Sequence, residues 1–302
     1  MRKILCGFVL ALASPAFAEM APVADRVAEQ NKLFDEFYET GLKNSPERAT
    51  AYGDYRYNNL LGQYSLKEIA RQHAEGDEFL RRLKAIPTDG MGDKDLLSHR
   101  VMQRQIERED INYELKNYEM PVNQQNGVHT RLADLPLSVP FDSVQHYQDY
   151  ISRLHQIPRV LEQTTEVMRQ GLKDGLMPPK IVLEKLPGQC DGIIAANPFL
   201  RPTTKFPKEF SEQDKKRLTD EMTKAVNDDV VPAYKKFAEF LRNDYDPKGR
   251  AQLSIESLSD GKRRYAEAVK MMTTMNVTPA EVHEIGLKEV ERITAEMTKL
   301  AQ

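Results

Sequence analysis

The sequence predicts an all-α or mainly α protein: a single irregular bundle of antiparallel helices with a proline-rich, loop-like central segment. Three observations carry that expectation. Almost every stretch with a readable hydrophobic period repeats at helical spacing. Two of these stretches open on a hydroxyl residue followed three positions later by an acid, Ser65 with Glu68 and Thr278 with Glu281, the pattern of a capping box. No run alternates, or stays apolar, in the way a sandwich, barrel or doubly wound sheet requires.

The first helix shows its buried face at Val27, Phe34, Phe37 and Tyr38. Asn44-Ser45-Pro46 interrupts it, with Ser45 placed to cap a new helix and Pro46 suited to its first turn. Behind Ser65 the face is carried by Ile69, Phe79, Leu80, Leu83 and Ile86, and Pro87 followed by Asp89-Gly90 and Gly92-Asp93 makes the connection a loop. The charged stretch 94–118 is again periodic, with Leu97, Val101, Ile106 and Leu115 as expected anchors. An Asn126-Gly127 turn and Pro136 and Pro140 make the next part irregular. Helical spacing resumes at Val144, Tyr147, Ile151 and Leu154, and Pro158 either kinks that helix or starts the next one, through Leu161, Val167 and Met168.

Between Gly175 and Pro207 lie six prolines, which rule out one uninterrupted helix. Ile181-Val182-Leu183 suits a short strand or a buried turn. Ser211 is placed to cap the following helix, and a second helical stretch carries Pro232, Tyr234, Phe237, Phe240 and Leu241 and stops near Asp246-Pro247-Lys248-Gly249. A last pair of helices surrounds Tyr265, Val269 and Met272, then the closing segment. No repeat or composition shift divides the chain, so 19–302 reads as one mainly helical region.

The chain has 302 residues, 40% hydrophobic and 29% charged, with a mean hydropathy of -0.60. Those values belong to an ordinary soluble protein. Residues 1–18, MRKILCGFVLALASPAFA, have a basic start, an apolar run and a small-residue end. That order is expected of a secretory signal peptide cut before Glu19, and it places the protein in the periplasm or outside the cell. The apolar run is shorter than the ~20 residues that span a bilayer. Without the leader one cysteine remains, Cys190, so no internal disulfide is expected. Removing Arg2 and Lys3 leaves 41 basic against 46 acidic residues, a net charge of -5. The basic residues are dispersed, which argues against nucleic acid as a partner, and no integral membrane segment is expected after cleavage.

His283-Glu284 resembles half of a zinc-peptidase signature. That chemistry needs a second histidine four residues on, so that two imidazoles share one helix face and the glutamate activates a metal-bound water. Leu287 holds the second position and cannot bind a metal. Thr278, Pro279 and Glu281 account for the start of this helix, and Val282, Ile285, Ile293, Met297 and Leu300 give it an apolar stripe suited to docking. The other histidines, His73, His99, His129, His146 and His155, show no shared ligand spacing, and solvated or singly hydrogen-bonded rings are the simpler reading. Cys190 lacks a neighbouring base, which favours an inert thiol. Lys262, Arg263 and Arg264 follow a glycine but lack a phosphate-loop pattern and read as a solvated helix surface. Tyr52, Tyr55 and Tyr57 suit either a substrate cleft or, more simply, the sealed end of a helical core.

Several stretches occur together and in order: SPERATAYGDYRYNNLLGQYS, QQNGVHTRLADLPLSVPFDSVQHYQDYISRLHQIP, MRQGLKDGLMPPKIVL and LSDGKRRYAEAVKMMTTMNVTPAEVHEIGLKEVERITAEM. Together they resemble the DUF885 family of bacterial proteins over nearly all of the mature chain, Thr278–Met297 being the most specific part. The resemblance implies a largely helical fold and a relation to zinc-dependent metallopeptidases about twice this long. In those relatives the metal ligands and the general base lie in a downstream half around a His-Glu…Pro-Gly-His motif. No such position occurs here, so no catalytic, cofactor-binding or metal residue carries over, and zinc is implied for full-length relatives alone. The expectation that follows is a truncated, N-terminal half of a metallopeptidase-like exported protein, inactive alone, with a peptide substrate or a missing C-terminal half as partner. The alternative is a short periplasmic binding or interaction protein on the same scaffold.

Overall fold

The computed structural model describes residues 20–302, and the leader expected at residues 1–18 lies outside them. The described residues form an irregular all-α bundle without a sheet. Helix α1 (Val23–Asn44) breaks at Ser45, and α2 (Pro46–Ala51) restarts with Pro46 in its first turn, where no N–H is missed. Helices α3 (Leu66–Lys84) and α4 (Asp93–Glu114) fold back beside α1. Ser65 starts α3 by accepting a hydrogen bond from the Glu68 N–H at 3.2 Å.

These three helices share a small core of Leu33, Phe79, Leu83, Ile86, Met91, Met102 and Ile106. Phe37 meets Phe79 edge to face at 5.3 Å between ring centres. Two expected anchors of α4 are placed differently: Leu97 and Val101 are 63% and 57% exposed. The face turned inward carries His99, Met102 and Ile106, whose three- and four-residue spacing is the one α1 and α3 cover. His99 is accommodated there because its Nδ1 lies 2.7 Å from the Gln30 amide oxygen. Arg26 is also buried, and its guanidinium donates to the carbonyls of Asp89 at 2.9 Å and of Pro87, tying α1 to the loop after α3.

The larger core is built by α5 (Val128–Ala133), α6 (Leu135–Ser138), α7 (Val144–Leu154), α8 (Ile157–Asp174), α9 (Lys180–Leu183), α10 (Leu186–Ala196), α11 (Glu212–Ala225) and α12 (Val231–Phe240). Pro158 begins α8 rather than kinking α7, and Gly175, at a φ of 72°, closes α8 in the left-handed conformation that glycine adopts without strain. The prolines between 175 and 207 divide that stretch into the single turn of α9, the three turns of α10 and a 3-10 run at Pro198–Thr204. Ile181-Val182-Leu183 is a helical turn with Leu183 buried and Ile181 exposed. Within this core Tyr147, Tyr150 and Tyr234 are fully buried, and each phenol donates to a carbonyl, of Pro202, Phe199 and His129 respectively. Such pairing offsets the ~1–3 kcal/mol that an unpartnered buried hydroxyl would cost.

Arg153 joins this core to the 46–60 segment. It is fully buried on α7, donates from Nε to the Leu60 carbonyl at 2.8 Å, and from Nη2 to Thr50 Oγ1 at 2.6 Å and the Pro46 carbonyl at 3.2 Å. At the C-terminal side α13 (Gly261–Thr273) and α14 (Pro279–Ala301) extend from the bundle. Arg264 departs from the expected solvated surface: it is buried, donating to the Ser259 carbonyl at 2.7 Å and the Asn117 side chain at 2.8 Å. The capping box at Thr278 and Glu281 forms in both directions, and no residue of α14 is buried, so Ile285, Ile293 and Met297 remain exposed. No helix among the described residues is long and apolar enough to cross a membrane.

Candidate functional site

A groove of about 800 Å³ runs between α8 and the helical rod that begins with α11. The rod continues from Glu212 to Lys248, but its α-helical ladder widens twice into single π-turns, at Val226–Val230 and Leu241–Tyr245. Proline explains both. Pro232 and Pro247 each follow the residue that closes a π-turn, Val231 bonding to the Val226 carbonyl and Asp246 to the Leu241 carbonyl. A proline has no N–H for the carbonyl four residues back, and its ring crowds that carbonyl. One extra residue in the preceding turn removes the conflict without breaking the rod. The same widened turns supply groove-lining side chains, Asp228 and Asp229 from the first, Asn243 and Asp244 from the second.

Three pairs cross to the rod, one from the α7–α8 junction and two from α8: His155 Nδ1 to Asp229 at 2.7 Å, Lys236 to Glu162 at 3.1 Å, and Arg169 to Asp244 at 3.2 Å. Their nearly constant sequence offset means that the two elements run in the same direction, with a rung about every two turns. Between the rungs the floor is apolar, formed by Leu161, Ala233, Phe237 and Phe240 with Pro158 and Pro232 at one end. The Arg169 guanidinium lies 4.7 Å above the Phe240 ring centre, an attractive cation–π position.

The groove's charge is one-sided. Glu162, Glu166, Asp228, Asp229, Glu239 and Asp244 line it against Arg169 and Lys236. Glu166 and Glu239 are exposed and form no ion pair with a Lys or Arg among the described residues. The groove therefore offers apolar contact below and uncompensated negative charge at the rim. Exposed rungs of this kind contribute only ~0–1 kcal/mol each, so an incoming cation can displace Lys236 or Arg169 from its carboxylate at small cost.

The residues singled out in the sequence are dispersed. His283 is exposed on α14 and Leu287 beside it is exposed as well. Cys190 is buried in α10, and burial first, then Asp191, pushes its thiol up to about 12, an unreactive state. Tyr52 and Tyr55 are exposed and Tyr57 is half-buried, so they neither line the groove nor seal a core. His129 is fully buried with Nε2 3.1 Å from the Gln189 amide oxygen, and burial holds its pKa below the ordinary value. His146 pairs with Asp142 at 2.6 Å and His155 belongs to the groove's first rung. The groove residues gave no motif, since Glu162 and Lys236 lie far apart in the chain. Pro232, placed inside an otherwise helical pattern, and Pro247, at the stop of that pattern, are the signal in the sequence that the rod is irregular there.

A family model described as "Bacterial protein of unknown function (DUF885)" matches residues 46–302. A solved protein of Colwellia psychrerythraea that carries a lipoprotein designation has a similar fold, with a TM-score of 0.79 and 19% identity over 92% of this chain. This chain spans 51% of that one. Among curated proteins none matches. These findings correct the expectation of a truncated, N-terminal half of a zinc-metallopeptidase-like protein. The family match takes in almost the whole chain, and neither the family description nor the similar structure carries a link to a metallopeptidase.

Proposed function

The chain belongs to the DUF885 family, and from that premise we propose that it is an exported binding protein whose groove takes a cationic, amphipathic peptide segment. One observation carries the reading: an apolar floor of Leu161, Phe237 and Phe240 is bordered by Glu166 and Glu239, which form no ion pair with a Lys or Arg among the described residues. From Pro158 to Arg169 the groove follows α8 for about 17 Å at ~1.5 Å per residue. That length suits three turns of a helix laid into it with leucines down and lysines at the rim, the helix-in-groove mode of recognition. The leader-like residues 1–18 support a periplasmic or secreted location for such a protein.

The test uses the mature protein and a fluorescent peptide with leucine at i, i+3, i+4 and i+7 and lysine between them. Anisotropy is expected to show saturable binding that weakens as salt is raised, because the attraction is between partly solvated charges. The counterpart with glutamate for lysine is expected not to bind. Changing Glu166→Lys and Glu239→Lys together is expected to weaken the cationic peptide by about tenfold or more, since like charges then face each other across the rim. Equal binding of the two peptides, or an unchanged affinity in the double variant, refutes the reading.

A further inference from the structure

Away from the groove, one side-chain cluster has the geometry of a metal site. His73 and Asp77 stand four residues apart on one face of α3, and Asp110 faces them from α4. The imidazole Nδ1 is 3.4 Å from Asp110 Oδ1 and Nε2 is 3.5 Å from Asp77 Oδ2. One donor atom from each of the three residues lies within 4.8 Å of the other two. Both separations exceed the ~2.7–3.2 Å of an N–H···O hydrogen bond. The two contacts use different ring nitrogens, and each by itself matches the distance of about 3.4 Å between two ligands held at ~2.0–2.1 Å on a tetrahedral ion. The nitrogen that binds shares the ion with the carboxylate it faces, and the other carboxylate has to turn toward that point.

Two further observations support the same reading. The Tyr113 ring stacks on the imidazole at 3.8 Å with the planes 20° apart, which fixes the ring's orientation. Neither carboxylate forms an ion pair with a Lys or Arg among the described residues. Basic residues of α3 and α4 are engaged elsewhere, Lys84 with Glu107, Arg71 with Glu68 and Glu75, Arg81 with Glu78, and Arg104 with the carbonyls of Lys270 and Thr274. Two carboxylates close together without a Lys or Arg partner among the described residues repel each other, and a divalent cation between them removes that repulsion.

We propose that His73, Asp77 and Asp110 bind a divalent transition-metal ion of the zinc type, which joins α3 to α4. One imidazole nitrogen and one oxygen from each carboxylate supply three ligands, and solvent completes the coordination. The site lies in the N-terminal helical layer and is independent of the groove.

The experiment titrates the mature protein, stripped with EDTA, with Zn²⁺ by calorimetry and with Co²⁺ by visible absorption. One ion per chain is expected, with a cobalt ligand-field spectrum and a higher melting temperature in the presence of Zn²⁺. His73→Ala and Asp110→Asn are each expected to weaken Zn²⁺ by at least about tenfold, given the ~10–100-fold cost of losing even an outer partner. His283→Ala, on exposed α14, is expected to bind as the parent does. Asp110→Asn preserves shape and removes a repelling charge, so it remains informative if His73→Ala fails to fold. No saturable binding, or unchanged affinity and cobalt spectrum in Asp110→Asn, overturns the proposal.

Discussion

Replacing Arg153 by methionine tests how the 46–60 segment is held to α7. Methionine fills a similar volume and removes the buried cation, yet it leaves the Leu60 carbonyl, Thr50 Oγ1 and the Pro46 carbonyl without this donor. Hydrogen bonds from a charged donor contribute roughly 1.5–3 kcal/mol each. The two short ones, at 2.8 and 2.6 Å, therefore amount to about 3–6 kcal/mol. Against this stands the desolvation of the guanidinium, which also lowers its pKa from the ordinary arginine value. Relief of that cost returns a few kcal/mol, so the net loss is expected to be about 3 kcal/mol. In urea unfolding followed by far-UV circular dichroism, the midpoint should fall by about 1 M, taking a slope near ~3 kcal/mol per M. Thr50→Val removes one of the same bonds and should be less than additive with Arg153→Met, by ~1 kcal/mol or more. A midpoint unmoved or raised in Arg153→Met would show that the arginine's hydrogen bonds do no more than cancel its desolvation, and would refute the reasoning.

Gly171→Ala should destabilise by about 1–3 kcal/mol, because a Cβ there would lie 2.6 Å from the Glu119 carbonyl oxygen and 3.2 Å from the Leu176 carbonyl oxygen. A thermal midpoint equal to that of the parent would mean that the 117–119 turn yields freely. Stability should also fall as pH drops below about 6.5. Burial depresses the pKa of both His99 and His129 in the folded chain, so their contribution is present above the unfolded value and is lost as pH falls toward the folded one. At His129 protonation would place a second N–H at Nδ1, which has no hydrogen-bond partner among the described residues. The loss is at most ~1.4 kcal/mol per pH unit for each ring. Urea midpoints at pH 7, 6 and 5 should show a shallower pH slope in His129→Asn, and an unchanged slope would exclude this histidine as a source.

Where helices begin was largely determined by the sequence alone. Ser65, Ser211 and Thr278 each accept from an N–H three residues on, and that interaction is complete within one turn of chain. The breaks at Ser45-Pro46 and along the proline-rich stretch are equally local, since a missing N–H acts on its own turn. The family signature is likewise a matter of sequence order. Which face of each helix is covered is not local. Leu97 and Val101 satisfy helical periodicity as well as Met102 and Ile106 do, and only the position of α1 and α3 decides between them. Arg264 reads as a surface residue until packing brings the Asn117 side chain to it, and nothing in the sequence singles out Arg153 before the carbonyl of Leu60 comes within reach of its guanidinium group. The groove is the extreme case. Glu162 and Lys236 meet across two helices, and Glu166 and Glu239 remain without a Lys or Arg partner among the described residues because of what packing places opposite them. His73 and Asp77 share a helix face that spacing alone reveals, but Asp110, the third member, is added by the packing of α4 on α3.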